Sequence, residues 1–252
     1  MMHIATSRAQ SPRFRLALLD LFLTVALPLA TQVATVTGKG RPEVEQARET
    51  EGPITPVTGA FTIWGPIFAC LLAYGVQRVR SYDELENPPA EALIRASLAG
   101  NILWSLNAQF KDFGWQSLAL IGASAATATG AVARYTGPDD RNDLSRRVSY
   151  LLAPLAGWLS IATFANLDAT QRFTASPSQK VVTPPVILAL ATVSTLGGVV
   201  ATKGNLVYSA AAAWGLGGII LRHARHQPKL AATASAGLAT VAAATHIARK
   251  RQ

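Results

Sequence analysis

The chain has 252 residues, of which half are hydrophobic and only 15% are charged, and its formal net charge is +9. About a quarter of the residues are charged in an ordinary soluble domain. Here the charges cluster between long apolar runs, so the composition predicts a helical membrane protein with several spans. The positive charge does not indicate nucleic-acid binding, because the Lys and Arg residues lie in short connections where they set topology. The single cysteine, Cys70, excludes an internal disulfide and a multi-cysteine metal site.

Eight apolar runs predict eight helices, in the order 16–36, 59–77, 92–110, 115–135, 148–169, 185–202, 206–221 and 230–247. The last run is mostly Ala and Thr and is the weakest of the eight. The first run follows several Arg residues but lacks a small-residue cleavage site, so we interpret it as a retained helix and not as a signal peptide. Together the runs indicate an all-α, polytopic transmembrane helix bundle.

Asp20 lies about one turn inside the first apolar run. An acid at membrane depth is a candidate functional group. Because Asp20 is close to the boundary, we favour the alternative that it caps the helix or pairs with a basic residue of a loop.

The distribution of basic residues predicts the orientation in the membrane. If all eight helices span, the side that holds the N-terminus carries fourteen of the twenty-three Lys and Arg residues, and this side is predicted to be cytoplasmic. Arg222, Arg225 and Lys229 fall on the other side. They leave seven spans, or a last segment that lies on the membrane surface, as alternatives.

The second run carries an aromatic stripe. Phe61, Trp64 and Phe68 are spaced i, i+3 and i+7, so their rings fall on one face of a helix. Such rings either pack against neighbouring helices or line a binding cavity. The cavity interpretation gains weight because aromatic and amide residues recur at helical spacing in two later runs.

Amide residues mark the third and fifth runs. Asn101 and Trp104 share a face of the third run, and an amide in a membrane helix needs a partner from another helix or from water. The third helix is therefore predicted to be central and to border a cavity. The fifth run contains Pro154, Trp158 and Asn166, and Pro154 predicts a kink because it removes a backbone donor. Interhelical hydrogen bonds that serve no ligand explain Asn101 and Asn166 equally well.

Three segments resemble the tryptophan-rich sensory protein family, also known as the TspO or translocator family and formerly as peripheral benzodiazepine receptors. They are PVTGAFTIWGPIF at 56–68, Asn101-Ile-Leu-Trp104, and PLAGWLSIATFAN at 154–166. Each is similar to the family's pattern in the second, third or fifth helix. The sequence departs from the family in its first loop, which has no aromatic residue, and at Leu155, where the family has Tyr.

The resemblance implies a five-helix TspO-like core at residues 1–172 and a C-terminal helical membrane extension of two or three helices at 173–252. It also implies that a tetrapyrrole such as a porphyrin, or a sterol-like molecule, is bound for sensing or transport, with no cofactor required. The expected ligand-binding residues are Phe61, Trp64, Phe68, Asn101, Trp104, Pro154, Trp158 and Asn166. The expected partners are membrane lipids and this hydrophobic ligand, without nucleic acid, and a homodimer stays open. The expected location is the plasma (inner) membrane if the source is bacterial.

Catalysis finds little support in the sequence. The four His residues lie near the termini or in the last connection, and no metal-binding or nucleophile motif is present. His223 and His226 are close enough in sequence to hold a metal, but a solvated basic loop is the favoured interpretation. Porphyrin degradation, described for members of the family, stays open. A small secondary transporter and a membrane scaffold without a small ligand are the alternative functions.

Overall fold

The computed structural model describes residues 11–42, 45, 51–84, 87–111, 113–136, 143–176 and 181–251. In this part of the chain all the regular structure is helical, and eight long helices follow one another where the apolar runs predict them. We label them α1 to α8: Pro12–Ala30, Trp64–Arg80, Pro88–Phe110, Trp115–Arg134, Asp143–Thr174, Pro184–Ala201, Leu206–His223 and Pro228–Lys250. The predicted all-α bundle is confirmed.

The starts of the helices follow from local sequence. Four of them, α1, α3, α6 and α8, begin at a proline, whose fixed φ suits the first turn and whose missing N–H would have no partner there. The Asn87 side chain accepts a hydrogen bond from the Ala90 N–H and caps α3. The Asn205 side chain accepts from Val207 and Tyr208 and caps α7.

The first helix is shorter than predicted. α1 ends at Ala30, and the chain turns before a five-residue helix, Val33–Thr37. Gln109 of α3 bridges the break, because its Nε2 donates to the Ala30 carbonyl at 2.7 Å and its Oε1 accepts from the Ala34 N–H at 2.7 Å. A buried amide from another helix therefore satisfies the backbone groups that the break would leave unpaired.

α5 is the central helix of the bundle. Its middle turns, including Pro154 and Trp158, are buried, and it continues through Pro154 from Asp143 to Thr174. It packs against α2, α4, α6 and α7, while α8 packs on α6 and α7. Of the helices after residue 173, α6 and α7 therefore pack directly on α5, which also contacts α2 and α4. The division of the chain at residue 172 stays a prediction.

Within the described residues, five helical segments are long and apolar enough to cross a membrane: Thr58–Arg80, Trp115–Arg134, Asp143–Thr174, Pro184–Ala201 and Pro228–Lys250. The outer surface suits lipid, since large apolar side chains such as Phe22, Val193 and Leu221 are 64%, 66% and 75% exposed. The orientation stays a prediction, and two of the basic residues that support it, Arg8 and Arg141, lie outside the described residues.

Four charged side chains form a buried ionic cluster on the side where α1 begins and α2 ends. The Asp20 carboxylate accepts from Arg78 Nε at 3.0 Å and from Arg95 Nε at 2.6 Å. Glu91 lies 2.9 Å from Arg78 and 3.0 Å from Arg95, so two acids balance two bases. Asp20 does pair with basic residues, but both lie on helices and not in a loop as expected, and the pairing joins α1 to both α2 and α3.

Candidate ligand-binding site

A cavity of about 480 Å³ lies near the start of α2 and the ends of α3 and α5, away from the ionic cluster. Six of the eight predicted site residues line it: Phe61, Trp64, Phe68, Trp104, Trp158 and Asn166. Small-molecule sites in proteins have volumes of about 300 to 1,000 Å³ and mostly apolar walls. The cavity is therefore of the size and composition that a small hydrophobic molecule requires.

Trp158 is the buried centre of the aromatic wall. The Phe61 ring meets it edge-on at a centroid distance of 5.6 Å, and the Trp64 ring does so at 6.4 Å. Trp64 in turn stacks on Phe68, with the centroids 5.4 Å apart and an angle of 27° between the planes. Because aromatic pairs at these distances attract each other, the rings hold one another in place. The stripe predicted for one face of the second helix does face a common cavity.

Asn166 connects three helices at the cavity wall. Its Oδ1 accepts hydrogen bonds from Trp104 Nε1 at 3.1 Å and from Ser117 Oγ at 3.3 Å, and its Nδ2 donates to the Ala162 carbonyl at 3.1 Å. The amide thus provides the interhelical bonds that the sequence left as one interpretation. It also fixes the edge of the Trp104 indole, and one N–H of the amide remains for a further acceptor.

Asn101 and Pro154 are the two predicted site residues that do not line this cavity. Asn101 is 1% exposed, and its Nδ2 has no hydrogen-bond partner within the described residues. Pro154 is buried in α5 among the packed helices. Their expected roles in ligand binding stay predictions, and the geometry places both behind the wall.

The cavity has further lining residues that the sequence analysis missed. Phe113, in the connection between α3 and α4, adds a sixth ring. Several polar residues give the cavity a hydrophilic part: Thr31, Gln32, Thr35, Glu51, Thr55, Thr58 and Thr62. Most of them lie in or beside the first loop, and nothing in their spacing distinguishes them from ordinary loop residues. For Phe113, the only sequence feature that could have indicated a role in the cavity is the presence of an aromatic residue in a short connection.

Residues 51–57 form a covering segment that contributes Glu51, Thr55 and Pro56 to the cavity. Two contacts from α7 hold this segment. The Val57 N–H donates to the Gly218 carbonyl at 3.1 Å, and the Arg222 guanidinium pairs with the Glu51 carboxylate. The C-terminal helices therefore take part in closing the cavity.

Two further contacts join α7 to the first loop and to the short 3-10 helix Thr58–Ile63, which precedes α2. His223 Nε2 lies 2.7 Å from the Pro53 carbonyl oxygen, and the Trp214 indole N–H donates to the Ala60 carbonyl at 2.7 Å. His223 is buried, so the interpretation of a solvated loop is wrong for this residue. Within the described residues, no three His, Cys, Asp or Glu side chains lie close enough together to hold a metal ion.

α5 holds the covering segment from the other side. Asp168 pairs with Arg172 at 3.1 Å, and its carboxylate lies 3.5 Å from the Ile54 N–H. Gly52 packs against this pair so closely that a Cβ atom at residue 52 would overlap the Asp168 carboxylate and the Arg172 guanidinium. A side chain at residue 52 would therefore displace the Asp168–Arg172 pair.

The helices and the cavity define the class of the protein: an integral, multi-pass membrane protein whose helix bundle encloses an aromatic cavity. A comparison with protein-family models gives the family. The model described as TSPO-like protein matches residues 15–247, nearly the whole chain, and the chain belongs to this family. The resemblance found in three short segments is confirmed, and the match continues through α6, α7 and most of α8.

The other two comparisons added no relative. No curated protein and no solved structure gave a significant match to the chain.

Proposed function

We propose that the protein binds a flat hydrophobic molecule, a tetrapyrrole such as a porphyrin or a sterol-like compound, in the aromatic cavity, for sensing or transport. The observation that carries the proposal is the convergence of Trp64, Trp104 and Trp158, from three different helices, on one cavity. Flat rings bind by stacking and apolar contact, and a few polar groups then fix the orientation.

The polar groups of the cavity favour binding over chemistry. They are hydroxyl and amide groups, with Glu51 as the charged residue among the described lining residues. Glu51 is paired with Arg222. A porphyrin carboxylate would therefore meet hydroxyl donors of the cavity, and the negative charge of Glu51 beside them is balanced by Arg222. No cofactor is needed for this role, and we place the protein in the plasma (inner) membrane if its source is bacterial.

The test is a titration of the purified full-length protein with a porphyrin, followed by the absorption of the porphyrin itself. We expect saturable binding that weakens roughly tenfold in Trp64→Ala, because an aromatic contact and its apolar area are lost. Trp115→Ala is the matched control, since Trp115 is 60% exposed and does not line the cavity. Equal affinity in both variants, or the absence of saturable binding, would refute the proposal. A sterol added as competitor separates the two ligand classes.

Transport coupled to an ion is the second candidate, and the fully buried Asp20 is the observation that favours it. An acid within a membrane helix that contacts two other helices is a common element of proton relays. Proteoliposomes loaded with a pH-sensitive dye test this candidate. A proton flux that is present in the natural chain and absent in a folded Asp20→Asn variant would favour a transporter.

A further inference from the structure

A second cavity, of about 570 Å³, lies between α7 and α8 on the outer side of the C-terminal helices. Its walls are apolar and mostly small: Leu206, Ala210 and Ala213 from α7, and Leu238, Val241 and Ala242 from α8. Because alanine side chains are short, the two helices leave a groove between them. We call this space the α7–α8 groove.

One end of the α7–α8 groove is basic. His246, Arg249 and Lys250, all exposed, line the end where α7 begins and α8 ends. The Ser209 and Thr245 hydroxyls, 2.8 Å apart, lie at the same end. The α6–α7 connection packs here too, since Gly204 approaches Arg249 so closely that a Cβ atom would meet its Cγ at 2.9 Å.

Among the described residues, no Asp or Glu lines the α7–α8 groove. Residues 173–252 contain eight Lys or Arg residues and no Asp or Glu. Within the described residues, neither Arg249 nor Lys250 forms an ion pair. A basic end on an apolar groove at the membrane boundary is complementary to a molecule with an anionic head and a hydrocarbon tail.

We propose that the α7–α8 groove is a binding site for an anionic glycerophospholipid. The phosphate lies between Arg249 and Lys250, within reach of the Ser209 and Thr245 hydroxyls, and one acyl chain lies along Leu238, Val241 and the alanines. The basic end is on the side of the membrane predicted to be cytoplasmic, where anionic lipids are concentrated in many membranes.

A second copy of the chain fits the groove less well. Two copies in one membrane have the same orientation, so a two-fold axis along the membrane normal brings the same depths together. Arg249 and Lys250 would then face their own equivalents, and like charges repel at such distances. The charge pattern therefore selects a lipid over a homodimer at this surface.

The proposal is tested by calorimetric titration of the full-length protein in neutral detergent with short-chain phosphatidylglycerol, phosphatidylcholine or inorganic phosphate. We expect saturable one-to-one binding of phosphatidylglycerol, and weaker binding by at least about tenfold in the double variant Arg249→Gln/Lys250→Gln. Arg225→Gln/Lys229→Gln is the matched control, because it removes two exposed charges at the other end of α7 and α8. Ala213→Phe fills the groove without a change of charge and is expected to weaken binding as well.

Four results would overturn the proposal. Equal binding of phosphatidylglycerol and phosphatidylcholine removes the role of the charge. Equal losses in the two double variants show that only the net charge matters. Full competition by inorganic phosphate, with no effect of Ala213→Phe, shows an anion site without a groove. A light-scattering mass that changes from dimer to monomer in Ala213→Phe, with lipid binding unaffected, assigns the groove to a second copy instead.

Discussion

The Trp104 indole nitrogen donates a hydrogen bond to the Asn166 side-chain oxygen across 3.1 Å, and this bond joins two of the three segments that carry the family resemblance. Trp104 lies on α3 and Asn166 on α5, so the bond crosses the cavity wall. It explains why an amide is needed eight residues after Trp158: the amide orients a ring, whatever it does for a ligand.

Trp104→Phe removes this hydrogen bond and keeps an aromatic ring. We expect the free energy of unfolding to fall by about 0.6–1.7 kcal/mol, the range of interhelical hydrogen bonds in membranes. The Asn166 oxygen retains its bond from Ser117, which limits the loss. Trp115→Phe, at an exposed ring, is the control and is expected to change little. Unfolding by a denaturing detergent measures both, and equal changes in the two variants would contradict the assigned role of the bond.

The buried ionic cluster predicts a large effect for a single charge. Asp20→Asn leaves Arg78 and Arg95 with Glu91 alone, and an uncompensated buried charge costs about 3–5 kcal/mol. Asp143→Asn is the matched control. The Asp143 side chain is 79% exposed, and its ion pair with Arg146 at 3.4 Å contributes little because both partners are in contact with solvent. Thermal unfolding in the same detergent is expected to show a strong loss for the first variant and almost none for the second. If Asp20→Asn keeps the natural melting temperature, the cluster does not stabilise the fold.

The sequence predicts the eight helices well because hydropathy is a local property, and a run of apolar residues needs no knowledge of its neighbours. The break after Ala30 could not be predicted, since the group that satisfies it, Gln109, is far away in the chain. The full ionic cluster could not be predicted for the same reason, because Arg78 and Arg95 reach Asp20 only when three helices assemble.

Part of the candidate site could be predicted because it depends on local spacing along one helix. The spacing of Phe61, Trp64 and Phe68 fixes one face of a helix, and a common face implies a common environment. Asn101 was expected beside Trp104, but residues three apart differ in direction by about 60° on a helix. That rotation is enough to place Trp104 on the cavity wall and Asn101 behind it. The covering segment has no periodicity, so its contacts with α7 left no pattern to find.

Gly157 lies where α7 approaches α5 closely enough for the contact to be tested by substitution. A Cβ atom at this residue would overlap the backbone carbonyl of Tyr208 on α7, and a backbone carbonyl cannot turn aside. Gly157→Ala should therefore cost about 1–3 kcal/mol, the usual penalty for overpacking. Gly217→Ala on α7 is the control, because an added Cβ meets nothing within 4 Å and a helical Ala is favoured over Gly. A melting temperature that falls in the first variant and holds or rises in the second is the expected result, and a neutral Gly157→Ala would mean that α7 is only loosely attached.

Arg222 is expected to hold the covering segment closed. Its guanidinium pairs with Glu51 and donates to the Thr55 carbonyl at 3.3 Å, so Arg222→Gln removes the charged contact between α7 and residues 51–57. Because the pair is partly exposed, we expect a modest loss of about 1 kcal/mol, which corresponds to roughly fivefold faster opening. Hydrogen exchange of the backbone amides in residues 51–57 measures this opening without any ligand.

If the proposed ligand is bound in the cavity, its dissociation rate should rise by a similar factor in Arg222→Gln. Arg225→Gln, at an exposed residue just beyond α7, keeps the pair and should alter neither rate, whereas equal effects of both substitutions would show that the Glu51 contact does not hold the segment closed.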